Sequence, residues 1–455
     1  MKIGIDFGTT HTSAAVVNGD SIQFIPLDEK NSDPMLLRSM LYITREQESI
    51  LGREAVETYL HEDTGRIVRL EEKVVGTIEN TVARTERAAT DPDGPITIVY
   101  DVVVAEDISA HGRLLQSIKT GLRDIDYEGT KIFGQFYSLQ ELISLILRRV
   151  REKASQTLGQ PIDDVVLGRP VRFTNENYSD DVAETRLREA AELAGFKNIA
   201  FEKEPIAAAL FYTHQITKPE TVFVFDFGGG TLDMTIMQAE PGKTPQILAT
   251  HGVLVGGDDL DTALMIGKVA PYFGVGEQID HLGSPVPQQM VNLLRRWQTI
   301  PQLSRAEHLS IIRQAKLFGS NPQAFAALET VVTKNYGFQL FEAIEKGKRA
   351  LSDVKETTIA LETDDSFELQ IPTTRREFQR IIVQEVAKVQ KGLNVVLSDS
   401  GIEAAEIDTV VTTGGSSLIP IFQTILTNKF SKAKLVQSDT FGSVTAGLAL
   451  RASTL

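Results

Sequence analysis

The chain contains no cysteine among its 455 residues. Disulfides, thiolate metal sites and thiol nucleophiles are excluded together, and the composition fits a reducing compartment. Positive charge is also in short supply: 46 Lys and Arg stand against 61 Asp and Glu, a formal net charge of −15. A field of that sign repels nucleic-acid phosphates and anionic lipid surfaces, so neither is expected as a partner and any phosphate site has to be local. Long apolar runs are missing as well, and the first apolar stretch already opens at Ile3. A membrane span and a secretion signal are therefore not expected, and the expected setting is the cytoplasm. The length exceeds what one simple core serves and suits two domains of ordinary size.

Two stretches share one grammar. Ile3-Gly-Ile-Asp-Phe-Gly-Thr-Thr10 and Val222-Phe-Val-Phe-Asp-Phe-Gly-Gly-Gly-Thr231 each run an apolar strand into aspartate, glycine and hydroxyls. After the first, the pattern predicts a return strand over 13–17, a turn at Asn18-Gly-Asp20 and a third strand over 22–25. Residues 39–115 change character and read as an inserted subdomain, with a β-like run over 96–104 and a break at Asp91-Pro-Asp-Gly-Pro95. Beyond it come a helix over 138–159, a strand over 165–167, a helix over 175–195, a strand over 199–201 and an alanine-rich helix opened by Glu204-Pro205. The second half follows the same order. A long helical region over 258–353 is followed by β-like runs over 357–361 and 367–371, a helix over 376–398 and a strand over 407–411. Ile162-Asp-Asp-Val-Val166 matches Ile407-Asp-Thr-Val-Val411, a second motif pair in the same order, which makes duplication the better explanation.

A nucleoside triphosphate brings several negative charges and a divalent cation. Its site needs bare backbone amides, hydroxyl donors and carboxylates that hold the cation through water. Both turns supply that set: Gly8 with Thr9 and Thr10, Gly228, Gly229 and Gly230 with Thr231, and Asp6, Asp226 and Asp233 near the strand ends. One such turn alone reads more simply as a tight turn capped by aspartate; two in a duplicated chain favour a phosphate clamp. A third junction, Val410-Val-Thr-Thr-Gly-Gly-Ser-Ser417, runs a strand into glycines and a helix start, a geometry that aims amides at an anion or a sugar. Glu345, Lys348, Arg349 and Ser352 share one helix face, which by itself reads as a solvated, salt-bridging stripe. Glu204 has two readings, as the orienter of an attacking water or as an acidic residue favouring a helix N-terminus.

With these residues in view, Ile3 to Thr10, Phe225 to Asp233 and Val411 to Pro420 resemble the three signatures of the seventy-kilodalton heat-shock chaperones. Glu204-Pro-Ile-Ala-Ala-Ala-Leu210 and Gly256-Gly-Asp-Asp-Leu-Asp261 resemble two further blocks of that family. The resemblance implies an α/β, duplicated actin-like (ribonuclease-H-like) ATPase fold, with lobes over 1–218 and 219–455 around a nucleotide cleft. Insertions would fall at about 39–115 and 258–355, and the last helix would return to the first lobe. It implies ATP or ADP with Mg2+ in the cleft. Asp6 and Asp226 would hold the magnesium through water, and Gly8, Thr9, Thr10, Gly228, Gly229, Gly230 and Thr231 would meet phosphates. Asp233 would join the same polar cluster, and Glu204 would serve the hydrolytic water. Gly256, the stripe Glu345, Lys348, Arg349 and Ser352, and the loop Gly414, Gly415 and Ser416 would line the nucleoside side.

Three departures from the family pattern shape the expectation. The place expected for the family's phosphate-region lysine, in Leu51-Gly-Arg-Glu-Ala-Val56, holds Val56, with Lys119 as a substitute should the fold bring it near. Leu418 stands where the family has an arginine. The sequence ends at Leu455, which resembles a shortened group without the peptide-binding domain. The expected function is an ATP-binding, ATP-hydrolysing chaperone-like protein that couples nucleotide state to lobe closure and to a protein partner or client. Val56 motivates the alternative of a nucleotide sensor or adaptor with little turnover. An actin-like filament protein is a third reading, and a small-molecule kinase on the same fold lacks an acceptor motif.

Overall fold

The computed structural model describes residues 1–19, 21–82, 96–173, 179–241, 243–364, 367–437 and 442–455. Asp20 of the expected turn, the break at 91–95 and residues 175–178 of an expected helix lie outside them. Two principal sheets share a repeated set of five strands each. In the first half these are β1 (Lys2–Phe7), β2 (His11–Asn18), β3 (Ser21–Phe24), β4 (Asp164–Arg169) and β5 (Asn198–Lys203). In the second half they are β6 (Glu220–Phe227), β7 (Leu232–Ala239), β8 (Gln246–Val253), β9 (Thr409–Thr413) and β10 (Lys434–Gln437).

The first sheet runs β5-β4-β1-β2-β3 and the second β10-β9-β6-β7-β8. In each, three strands are parallel and the last two return antiparallel, so the second sheet repeats the topology of the first. The strand Leu36–Arg38 adds to β2 in the first sheet alone. Duplication is thus visible in strand order as well as in motif.

Alternation explains how each sheet is covered. Along β6, Phe223, Phe225 and Phe227 face one way into the large second-half core, against Met234, Ile236, Phe422 and Phe430. Val222 and Val224 face the other way, against Ala207, Ala208, Val444 and Leu448. In the first half Ile3, Ile5 and Phe7 pack on Leu142, Ile143 and Ile146 of the helix Leu139–Leu158. That helix starts in a capping box of Ser138 with Glu141 and stops at Gly159, whose φ is 67°.

Two small-residue helices join the sheets. The last helix, Ser443–Thr454, packs on β1, β2 and β4 and on the helix Glu204–Thr213. Gly4 permits this, since a Cβ there would lie 2.3 Å from the backbone nitrogen of Ala449. At the helix crossing, a Cβ on Gly447 would lie 1.7 Å from the carbonyl oxygen of Ala207. Any side chain at either place forces the elements apart.

The segment after β2 carries a three-stranded sheet (Ser49–Leu51, Met40–Thr44, Gly112–Gln116), the helix Gly52–Glu62 and a two-stranded ribbon pairing Leu70–Val82 with Ile96–Asp107. The region expected as helical over 258–353 is more broken than its periodicity suggests. The helix Gly257–Leu264 runs into a π turn and a 3-10 turn, then come Gln288–Leu293, the 3-10 helix Trp297–Ser304, and the helices Ala306–Phe318, Pro322–Thr333 and Gly337–Asp353. Pro271, Pro301 and Pro322 each fall within or at the start of one of these pieces, where a missing N–H resets the chain. The helix expected over 376–398 is likewise two, Arg375–Ile381 and Val383–Ser400, separated at Ile382. Among the described residues no helix is long and apolar enough to cross a membrane.

Candidate functional site

Asp6 and Asp226 occupy equivalent places near the ends of the two central strands. Asp6 pairs with Ser13 across β1 and β2, and Asp226 pairs with Asp233 across β6 and β7. Each keeps part of its surface open. From the 3-10 helix Ile118–Arg123, Lys119 Nζ donates to Glu204 Oε1 at 2.6 Å, and both side chains are buried. The same ammonium lies 6.0 Å from the centre of the Phe7 ring. Four carboxyls and one ammonium therefore influence one another electrostatically at this place.

Burial is the largest cause of the shift at Asp6, Asp226 and Asp233. It pushes the Asp6 carboxyl up to about 7, with the charge of Glu204 adding to the effect and Lys119 opposing it. Asp233 rises to about 7 for the same two reasons, against the amide of Val171, which donates to its Oδ1 at 2.8 Å, and the Thr231 hydroxyl. Asp226 stands well above the carboxylate range through burial and through Glu204, Asp233 and Asp6. Burial would lower Lys119, but Glu204 and Asp6 more than reverse it, and the ammonium stays protonated. The cluster carries more negative than positive groups and gains from an added cation.

The two glycine turns face each other. A Cβ on Gly229 would lie 2.5 Å from Thr10 Cγ2, and one on Gly230 would lie 2.6 Å from Thr9 Oγ1. The turn amides of Gly8 and Gly228 each bond the carbonyl three residues on, at His11 and Thr231, both at 3.0 Å. Every carbonyl of the glycine run is engaged. Gly228 O accepts from the amide of Gly257 at 3.0 Å and from Ser416 Oγ at 3.1 Å, and Gly229 O accepts from the amide of Asp258 at 2.9 Å. Gly230 O accepts from the Arg123 guanidinium. Gly256 packs directly on this run, 2.2 Å separating its would-be Cβ from Gly229 O.

The charged helix face divides. Lys348 turns inward, buried, and donates to Asp261 Oδ2 at 2.7 Å and to Gly257 O at 3.1 Å. Gly257 brings this ammonium beside Ser416, since its Cβ position is 3.0 Å from Ser416 Oγ and 3.4 Å from Lys348 Nζ. Burial lifts Asp261 to about 7 against the pull of Lys348. Glu345 lies 3.6 Å from the Arg38 guanidinium, which pairs more closely with Glu342 at 2.6 Å. Arg349 is exposed. Ser352 sits in the last turn, where its carbonyl accepts from Arg375, away from the Lys348 cluster. Gly414 adopts φ 77° with its Cβ position 2.4 Å from Phe227 O, which fixes the loop after β9 to the end of β6, whereas Gly415 borders open space.

Val56 lies in the helix Gly52–Glu62, fully buried among Tyr42, Tyr59, Leu114, Trp297 and Phe338. It is part of an apolar cluster, and Lys119, the substitute considered from the sequence, is the ammonium that meets Glu204. Arg123, four residues further along the same short helix, is the residue that sequence reasoning missed. Its only signal is the i, i+4 spacing of two cations after Ser117.

Among the described residues no three carboxylates or imidazoles converge as a metal site by themselves. The buried carboxyls of Asp6 and Asp226, with Lys119 as the nearby cation, are a donor set that would suit a magnesium ion held through water.

Two sheets of the same order, joined by crossing helices and carrying aspartate hairpins at equivalent ends, define the duplicated actin-like ATPase fold. The chain belongs to the Hsp70 family: the family described as "Hsp70 protein" matches residues 2–292 and 329–455. It is similar to the "Chaperone protein DnaK" of Thermus thermophilus, 25% identical over 461 residues covering 100% of this chain and 60% of that one. It is also similar to the "Heat shock 70 kDa protein, mitochondrial" of Dictyostelium discoideum, 25% identical over 460 residues covering 100% of this chain and 57% of that one. The chain thus spans about 60% of the length of the curated relatives it matches.

Proposed function

We propose that this protein binds ATP with Mg2+ between lobes formed by residues 1–218 and 219–455, hydrolyses it, and transmits the nucleotide state as lobe closure to a protein partner or client, in the cytoplasm. The carrying observation is the buried Lys119–Glu204 pair set among Asp6, Asp226 and Asp233. Magnesium, when bound, neutralises phosphate charge and lets the aspartates ionise. Lys119 then offsets charge on the terminal phosphate, and Glu204, held by that ammonium, orients the attacking water and accepts its proton. With the carbonyls of Gly228 to Gly230 engaged, a phosphate meets the amide side of that turn and the hydroxyls of Thr9, Thr10 and Thr231. Gly256, Lys348 and the Gly414 to Ser416 loop surround the nucleoside, with Glu345 and Arg349 on its outer edge.

A second reading, a nucleotide sensor or adaptor with little turnover, rests on Val56 at the family's lysine place; the Lys119–Glu204 pair favours turnover. Titration of ATP in magnesium by calorimetry, paired with steady-state phosphate release, tests the proposal. Asp6→Ala and Asp226→Ala are expected to abolish measurable binding, and Glu204→Ala to abolish turnover while binding persists. Unchanged binding in both aspartate variants overturns the reading.

A further inference from the structure

Lys119 and Lys348 each have a carboxylate of their own. The first meets Glu204 at 2.6 Å and the second Asp261 at 2.7 Å, and all four residues are buried. Arg123 is different. Half-buried at the end of the 3-10 helix Ile118–Arg123, it donates to the carbonyl oxygen of Gly230, and among the described residues it has no other hydrogen-bond partner and forms no ion pair. Burial pulls its pKa below the usual range, while Asp259, Asp258 and Asp233 act on it only from a distance. A guanidinium presents several N–H donors in a flat fork, and Gly230 O engages one side of it. Withdrawing such a cation from water without a counter-charge costs free energy, which an anion bound beside it offsets.

Its place on the glycine turn is specific. A Cβ on Gly230 would lie 2.6 Å from Thr9 Oγ1 and 2.8 Å from an Arg123 nitrogen, so the guanidinium, a hydroxyl of the first turn and the last glycine of the second converge. The residues read as nucleoside-side gather at the other end of the same run. Ser416 Oγ donates to Gly228 O at 3.1 Å, and the Cβ position of Gly257 lies 3.0 Å from Ser416 Oγ, 3.4 Å from Lys348 Nζ and 3.5 Å from Gly229 Cα. Arg123 also springs from the same short helix as Lys119, the partner of Glu204. It therefore approaches the turn from the side of the residues read as hydrolytic.

We propose that Arg123 grips the terminal phosphate of a bound nucleoside triphosphate, with one side of its fork on Gly230 O and the other on phosphate oxygens, and that this contact separates a triphosphate from a diphosphate. The assignment rests on the nucleotide reading above and adds to it a residue that discriminates ATP from ADP. A neutral carbonyl suits the task, because it orients the guanidinium and leaves its charge for the phosphate, whereas a carboxylate partner would cancel that charge.

Two variants test it. Arg123→Gln removes the charge and retains an N–H for Gly230 O, and Arg123→Lys keeps the charge without the fork. In calorimetric titrations with magnesium, Arg123→Gln is expected to weaken ATP on the order of tenfold or more and ADP by less than about threefold, with Arg123→Lys between wild type and Arg123→Gln for ATP. A role confined to holding Gly230 would disturb a turn that both nucleotides use and would weaken the two alike. Equal losses for ATP and ADP, or an ATP affinity unchanged in Arg123→Gln, overturn the assignment while the nucleotide reading stands. A wild type that binds neither nucleotide overturns that reading, and the assignment with it.

Discussion

Lys119 Nζ lies 2.6 Å from Glu204 Oε1, joining a short 3-10 helix to the first turn of the helix that bridges the two sheets. Neither residue is near the other in sequence, and the pair is buried. Lys119→Met is expected to lower phosphate release by roughly 100-fold or more, because a fixed donor facing developing charge is lost. It also strands the buried Glu204 carboxylate, at about 3 kcal/mol in a urea titration.

Val56 gives a companion experiment. Val56→Lys places an ammonium in the packed cluster of Tyr42, Tyr59, Trp297 and Phe338. Loss of several kcal/mol of stability is expected, with no gain in turnover. A rise in phosphate release would restore Val56 as the family's lysine place.

Asp6, Asp233 and Asp261 all have carboxyls raised to about 7, mainly by burial. A raised folded-state value means that the native protein holds protons which the unfolded chain releases. The stabilisation is full below about pH 4 and is lost as pH rises through 7. His11 slopes the other way. Burial, reinforced by Arg38, lowers it to about 4, so it costs stability as pH falls from 6.5 toward 4. Melting temperature followed from pH 6.5 to 8 isolates the carboxyl effect: a decline with pH is expected for the free protein, and a flatter profile with saturating ATP and magnesium. A decline of equal slope in both would count against carboxylates facing the cation.

Glycine substitutions separate contact from conformation. Gly447→Ala would drive a methyl into the carbonyl of Ala207 and is expected to cost about 3 kcal/mol. Gly229→Ala meets the Thr10 methyl and is expected to weaken ATP binding more than it weakens the fold. Gly415→Ala faces open space and is expected to change stability by less than about 1 kcal/mol. Denaturation midpoints and calorimetric affinities check all three.

Lys348→Ala removes the buried partner of Asp261 and the donor to Gly257 O. ATP affinity is expected to fall at least about tenfold, while Arg349→Ala, at an exposed position on the same helix, changes it far less. Equal losses in the two variants would mean that the helix face acts as a whole stripe.

Sequence alone was sufficient for what depends on neighbours in the chain. The strand, aspartate and glycine grammar around Asp6 and Asp226 reads out of turn chemistry and period-two alternation, both local, and its repetition announces the duplication that the matching sheet orders display. The helix Leu139–Leu158 was legible to its caps for the same reason. Tertiary structure decided what depends on distance. Lys119 meets Glu204 across 85 positions, Lys348 meets Asp261 across 87, and Tyr59 meets Asn335 across 276, pairings that no local spacing encodes. The charged stripe on Gly337–Asp353 shows the boundary between the two. Its periodicity placed four side chains on one helix face, but only packing against Gly257 and Asp261 buried Lys348 and left Arg349 in water, because burial is a property of what surrounds a helix and not of the helix itself.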